Sequence, residues 1–197
     1  MSSTQQNKNS SSPQTQYLKN YTVPDFLIEK THLTFKLNPK KTQVTSQLTL
    51  RSNPASQVNV QTPRSLFLHG EALILKSIAI NGEPLSQSDY ALCDEGITLN
   101  AVPQSFTLTC ETEIAPELNS SLEGLYKSRS MYCTQCEAEG FRKITYYLDR
   151  PDVLSEFTTT IIADKSQYPI LLSNGNLIES ADLADGLHKV SWHDPFK

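Results

Sequence analysis

No apolar run in this sequence approaches the roughly 18 residues that a membrane-spanning helix needs, which excludes a helical span. The first sixteen residues, MSSTQQNKNSSSPQTQ, contain nothing like the apolar core of a secretory signal. They are almost wholly Ser, Gln, Asn and Thr, too polar to bury surface, and are expected to form a disordered tail. No long stretch spaces its apolar residues by three and four, so helix is expected to be sparse. There is no internal repeat, and no linker is visible after residue 16. Charge is also lacking: a formal net charge of −4 over 197 residues gives no basis for a nucleic-acid partner or an anionic membrane. Cysteine is scarce, at Cys93, Cys110, Cys133 and Cys136. Without an export signal these thiols are expected to stay reduced, and the location is expected to be cytoplasmic.

What is present is period two. Leu33, Phe35 and Leu37 alternate with polar neighbours, Asn38-Pro39-Lys40-Lys41 supplies a turn, and Val44, Leu48 and Leu50 alternate again. That pattern predicts a β-hairpin with one wet face. Val58 and Val60 alternate likewise, and Leu73 to Ile80 is a more continuous apolar run that stops at the tight-turn pair Asn81-Gly82. Further strands are predicted at Ile97–Leu99, Phe106–Cys110, Phe157–Ala163, Tyr168–Leu172 and Leu187–Trp192. Short strands broken by Pro, Asn and Gly argue for an all-β antiparallel sandwich, not for alternating β/α units. Any helix is expected as a turn or two near Pro151–Glu156 and around Leu66–Glu71. With 38% hydrophobic residues, one domain with a real core is the simplest count.

The stretch from Tyr132 to Val153, YCTQCEAEGFRKITYYLDRPDV, concentrates the chemistry. Cys133 to Gly140 shows neither periodicity and reads as a loop presenting polar side chains. Ile144 to Leu148 is β-branched and aromatic and reads as a short buried strand running into Asp149-Arg150-Pro151-Asp152. Cys133-x-x-Cys136 has the spacing of half a zinc ribbon or of a redox dithiol. Cys93 and Cys110 make no second close pair, and no βαβ unit is present to carry a dithiol. The two thiols are therefore read as small apolar side chains that fix a loop. His32, His69, His188 and His193 contain no His-x-x-x-His pair; His188 and His193 could face each other across a turn, with no carboxylate apparent beside them. No motif places a Ser nucleophile, and Asn174-Gly175-Asn176 reads as a turn.

Gln135 and Glu137, two apart, project to the same side of an extended segment. A carboxylate in a cleft is suited to reading a free α-amino group, since Glu titrates near about 4.3 and the amine near about 7.7–8.0. On residue chemistry alone, Glu137 and Glu139 as solvated loop acids is the simpler account.

Leu122–Tyr126, Cys133–Gly140, Ile144–Val153, Ile161–Lys165, Leu171–Asn176 and Trp192–Pro195 together resemble the N-terminal domain of bacterial aminopeptidase N, a zinc metallopeptidase of the gluzincin class. The resemblance covers roughly residues 17 to 197, and implies a saddle-like β-sandwich domain over that span. It also implies that Gln135 and Glu137 reach into the catalytic cleft and bind the N-terminus of a peptide substrate, with a cis Glu137–Ala138 bond. Glu139, Arg142 and Lys143 are left as structural or electrostatic neighbours.

The family's further motifs are not in this sequence: the Gly-Ala-Met-Glu-Asn loop, the His-Glu-x-x-His zinc helix and the oxyanion Tyr. No catalytic residue and no metal ligand is therefore assigned here, and no cofactor is expected in this chain, zinc belonging to the parent enzyme. That leaves the activity of the chain by itself open and assigns metalloaminopeptidase activity to the parent. The ending Asp194-Pro195-Phe196-Lys197 reads as the middle of closing strands, so the chain is expected to be a fragment cut before its catalytic domain. Two accounts stand: the N-terminal domain of a zinc aminopeptidase, completed by a catalytic zinc-peptidase domain, or a stand-alone β-sandwich binding module without catalysis.

Overall fold

Phe26, Ile28, Thr31, Leu33 and Phe35 lie on the buried side of strand β1 (Phe26–Lys36), and a bulge between Ile28 and Lys30 keeps that side in phase. The computed structural model describes residues 17–56 and 64–197, together with Thr15. Numbered in chain order, β2 (Thr42–Ser52) pairs antiparallel with β1 and with β8 (Ser105–Ile114). Beyond β8 come β4 (Ile74–Ile80) and the two-residue β5 (Glu83–Pro84). On the other flank β11 (Glu156–Asp164) runs parallel to β1, followed by β13 (Leu187–Asp194) and the edge strand β12 (Asn176–Asp182). These make one mixed eight-stranded sheet. A three-stranded sheet holds β3 (Arg64–His69), β7 (Gly96–Val102) and β6 (Tyr90–Cys93), and β9 (Gly124–Ser128) with β10 (Met131–Gln135) forms a separate hairpin.

The main core lies between the large and the three-stranded sheet. Phe26, Ile28, Leu48, Leu50 and Leu108 meet Leu66, Leu68, Ile97 and Leu99 there, all nearly or fully buried. A second cluster joins Leu33, Phe35, Val44 and Ile114 to Leu125 of the hairpin and to Ile144. Polar residues on the other face of β1 and β2 stay exposed, as one-sided alternation requires.

The all-β expectation holds: strand accounts for 53% of the described residues, and helix among them is limited to 3₁₀ turns such as Phe141–Lys143. The β1–β2 hairpin and the strands around Ile97, Phe106, Phe157 and Leu187 form where alternation put them. Residues 1–14 and 16, and the Val58–Val60 alternation, lie outside the described residues. No helix among the described residues is long and apolar enough to cross a membrane.

Several local expectations are corrected. Leu66–Glu71 is no helix; Leu66 and Leu68 point inward from β3, a period-two pattern too short to be told from a turn of helix. Pro151 and Asp152 form a turn without a helix. Cys133–Gly140 is only half a loop, because Cys133–Gln135 extends β10. Ile144–Leu148 is not a strand: its backbone makes a single bridge, Tyr147 to His69, while every residue from Ile144 to Asp149 is buried. Tyr168–Leu172 is irregular; its main-chain oxygens accept from the His188 Nε2 and Trp192 Nε1 positions instead of from a strand. His188 and His193 do not face across a turn; they sit on one strand, and His193 meets the Glu156 carboxylate at 2.9 Å.

Leu48 has no exposed surface and sits at the centre of the sheet, so Leu48→Ala is expected to lower unfolding stability by about 2–5 kcal/mol in urea titration. Leu118→Ala, at a position 79% exposed, is expected to change it by less than about 0.5 kcal/mol. Equal effects would mean that the sandwich core is misplaced.

Candidate functional site

The β9–β10 hairpin carries the candidate residues at the end of β10. Gln135 pairs with Gly124 as the last rung, after which Cys136 to Gly140 turns back toward the 3₁₀ turn at Phe141. Two glycines make this return possible. Gly124 adopts φ +69°, where a side chain would be strained, and a Cβ there would meet the Cβ of Lys143 at 2.7 Å. A Cβ on Gly140 would stand 2.5 Å from the Gln135 carbonyl oxygen. The Gly140 N–H closes the turn by donating to the Cys136 carbonyl at 2.8 Å. The Glu137–Ala138 peptide bond is cis.

Gln135, Glu137 and Glu139 are all exposed on this tip. The Gln135 side-chain amide donates to the Glu137 carbonyl oxygen at 3.2 Å. The two acids differ in what holds them. Glu139 lies 3.4 Å from the Arg142 guanidinium, whereas no ion pair among the described residues involves Glu137.

Behind the tip, charged side chains are bound to one another. Arg142 donates from Nε and from its main-chain N–H to the buried Asp149 carboxylate, at 2.9 and 3.1 Å, and from its terminal nitrogen to the Asp149 carbonyl at 3.2 Å. The Asp149 N–H donates to His69 Nδ1 at 3.3 Å, which puts the ring proton of neutral His69 on Nε2. Burial, and next the Arg142 charge, hold the His69 pKa below its ordinary value. Lys143 joins Glu123 at 2.7 Å and Glu71 at 3.2 Å, and its hydrogen bond to Glu123 raises its pKa. Arg142 and Lys143 thus belong to the support of the tip. Their partners Asp149, Glu71 and Glu123, and His69 behind Asp149, were not singled out by sequence reasoning, because only the fold brings them together.

On another side of the same turn lies an open cavity of about 530 Å³. Leu33, Phe35, Leu125, Phe141 and Ile144 line it together with Cys133 and Cys136; Gln135 and Glu137 do not. All four cysteines are free thiols. Burial pushes the Cys136 thiol up to about 11 and Cys110 up to about 12, which leaves little thiolate near neutrality. Among the described residues no three His, Cys, Asp or Glu side chains converge as a metal ion would require.

An all-β domain of this design is shared with M1 zinc metallopeptidases. The structure of aminopeptidase A from Legionella pneumophila, in complex with aspartic acid, matches with TM-score 0.83 and 33% identity, over 92% of this chain and 21% of that one. An M1 zinc metallopeptidase from Deinococcus radiodurans matches with TM-score 0.68 at 14% identity, over 86% of this chain and 39% of that one, a likeness of fold alone. The profile of the Peptidase M1 N-terminal domain matches residues 19–197, and the chain belongs to that family. Aminopeptidase N of Escherichia coli is 48% identical over 93% of this chain, and aminopeptidase N of Haemophilus influenzae 47% identical over 91%. The chain spans about a fifth of the length of each of these curated relatives, 20% in both cases.

The raised thiol pKa values give an expected labelling order. At pH 8 a thiol-reactive probe is expected to modify exposed Cys93 first. Cys110 and Cys136 are expected to react more than about a hundredfold slower than a free thiol of pKa about 8.5, until the protein is unfolded. Rapid modification of Cys136 in the folded chain would overturn its assignment as a packing residue.

Proposed function

We propose that this chain is the N-terminal domain of a zinc-dependent aminopeptidase, and that Gln135 and Glu137 bind the free ammonium of a peptide's N-terminus at a cleft completed by a catalytic zinc-peptidase domain. The observation that carries this reading is the unequal pairing of the tip acids. Glu139 is ion-paired to Arg142, while Glu137 stands exposed and unpaired beside Gln135. An unpaired carboxylate on an anchored turn is available to an incoming cation at little reorganisation cost. Family membership supports the peptidase assignment.

In this reading Glu137 supplies charge and Gln135 a neutral polar contact. A substrate whose amine is blocked leaves Glu137 without its partner, so discrimination comes from the unmet carboxylate as much as from the met one. The zinc, its ligands and the general base belong to the catalytic domain. Free thiols at all four cysteines accord with a reducing compartment such as the cytoplasm.

The test joins this domain to the catalytic portion of the Escherichia coli relative and compares three variants. Glu137→Gln keeps size but removes charge, and is expected to lower kcat/KM about ten- to a hundredfold, equivalent to roughly 1.5–3 kcal/mol. It is also expected to lose much of the preference for a free over an acetylated N-terminus, with zinc content unchanged. Gln135→Ala is expected to do less, and Glu139→Gln to stay within about twofold. If Glu139 is sensitive and Glu137 silent, the assignment is out of register; if neither matters, the tip has no part in reading the amine.

A further inference from the structure

The tip residues are held by a second layer whose charges are arranged around a single acid. The charged side chains around the turn are Glu137, Glu139, Asp149, Glu71 and Glu123 against Arg142 and Lys143. Arg142 is committed to Asp149 at 2.9 Å and to Glu139 at 3.4 Å. Lys143 is committed to Glu71 and Glu123. Both cations are mostly buried, at 18% and 14% side-chain exposure, so neither is free to swing through solvent.

We propose that Asp149 and Arg142 are positioning residues for the Gln135–Glu137 tip: the Asp149 carboxylate fixes Arg142, and Arg142 shapes the turn while being kept from neutralising Glu137. The proposal rests on the amine-binding reading above. Its geometric basis is a short path. Asp149 accepts both the main-chain N–H and the Nε of Arg142, which fixes the 3₁₀ turn at Phe141–Lys143 in position and orientation. That turn is bonded to Gly140, whose carbonyl accepts the Lys143 N–H at 3.2 Å. The Gly140 N–H closes on Cys136, between Gln135 and Glu137. Apart from the Nε contact, each link involves main chain, so a displaced Arg142 moves the tip backbone and not only its own side chain.

The electrostatic half follows from the same contacts. An Arg next to an acidic loop would by default pair with whichever carboxylate it reaches, and a charge-assisted contact of that kind is among the stronger protein hydrogen bonds. Here the buried Asp149 holds the guanidinium at two points, its carboxylate accepting from Nε and its carbonyl from a terminal nitrogen. The remaining side of Arg142 takes Glu139. Glu137 is thereby left for an external cation.

The experiment uses the 197-residue chain and the joined enzyme. Asp149→Asn preserves shape and removes the charge that holds Arg142. By NMR hydrogen exchange of the chain, the Gly140 amide is expected to exchange at least tenfold faster, while the β2 amides of Val44 and Leu48 keep their protection. In the joined enzyme the same variant is expected to raise KM at least fivefold with kcat within about twofold. A general loss of folded protein would instead lower kcat and leave KM alone. Combined with Glu137→Gln, Asp149→Asn is expected to add little, because it acts through that residue. Should Asp149→Asn fail to fold, Arg142→Lys carries the same readings, since it keeps a cation at Asp149 but loses the forked contact.

Unchanged Gly140 exchange, or a KM effect that multiplies fully with that of Glu137→Gln, overturns the positioning role. A silent Glu137→Gln sinks the amine-binding reading instead, and the positioning role falls with it even where Gly140 exchange quickens.

Discussion

The segment from Ile144 to Ser155 is held against the large sheet by hydroxyl groups set into an otherwise apolar face. Thr145 donates to Ser46 of β2 at 2.8 Å, and Thr112 of β8 donates to the Ile144 carbonyl at 3.4 Å. Thr31 of β1 shares hydrogen bonds with Ser155 at 2.8 Å and with the Tyr147 hydroxyl at 3.3 Å. These contacts run across β1, β2 and β8 at the boundary between the two larger apolar clusters. Ile144 to Asp149 are buried outside any sheet ladder, and each polar group left unmet there would cost about 1–3 kcal/mol. Ser and Thr at inward positions of the sheet meet the Thr145 and Tyr147 hydroxyls and one main-chain group, the Ile144 carbonyl. Part of the support of the tip rests on this docking: Asp149 belongs to the docked segment and binds Arg142 just before it, and His69 reaches the segment by a two-way main-chain bridge to Tyr147.

The same docking accounts for what the sequence disclosed and what it hid. β1, β2 and β8 were legible because one face is buried and the other wet, so burial is written as alternation. Ile144–Leu148 was legible as buried but not as irregular. When all sides of a segment are covered, apolar content carries no period and strand cannot be told from plug. Strand β12 left no signal, because Leu177, Ile178 and most of their neighbours are exposed and its membership comes from pairing with β13. For Leu66–His69, four residues with two inward leucines are too few to settle a period.

The candidate site was legible in a different way. Gln135 and Glu137 could be named from the resemblance carried by Cys133–Gly140, while residue chemistry alone favoured solvated acids. Nothing in the spacing Glu137, Glu139, Arg142, Lys143 states which acid each cation takes. Arg142 lies three residues after Glu139, yet its closest carboxylate is Asp149, seven residues on, and Lys143 pairs with residues 20 and 72 positions earlier. Pair choice is a tertiary property, decided by where β9, the Glu71 loop and the docked segment meet.

The two cysteines show how one turn serves two surfaces. Cys133 and Cys136 line the apolar cavity, whereas Gln135 and Glu137 lie outside its lining. A Cys-x-x-Cys spacing suggests a shared ligand when both thiols are ionisable and reachable. Burial of Cys136 removes the first condition, and the charges of Asp149 and Glu137 add to it by disfavouring a third negative charge nearby. Cys136 packs, partly buried, against the second apolar cluster, and its small thiol suits the cavity wall on which the hairpin rests. Packing beneath the tip is thus a sufficient account of the cysteine spacing.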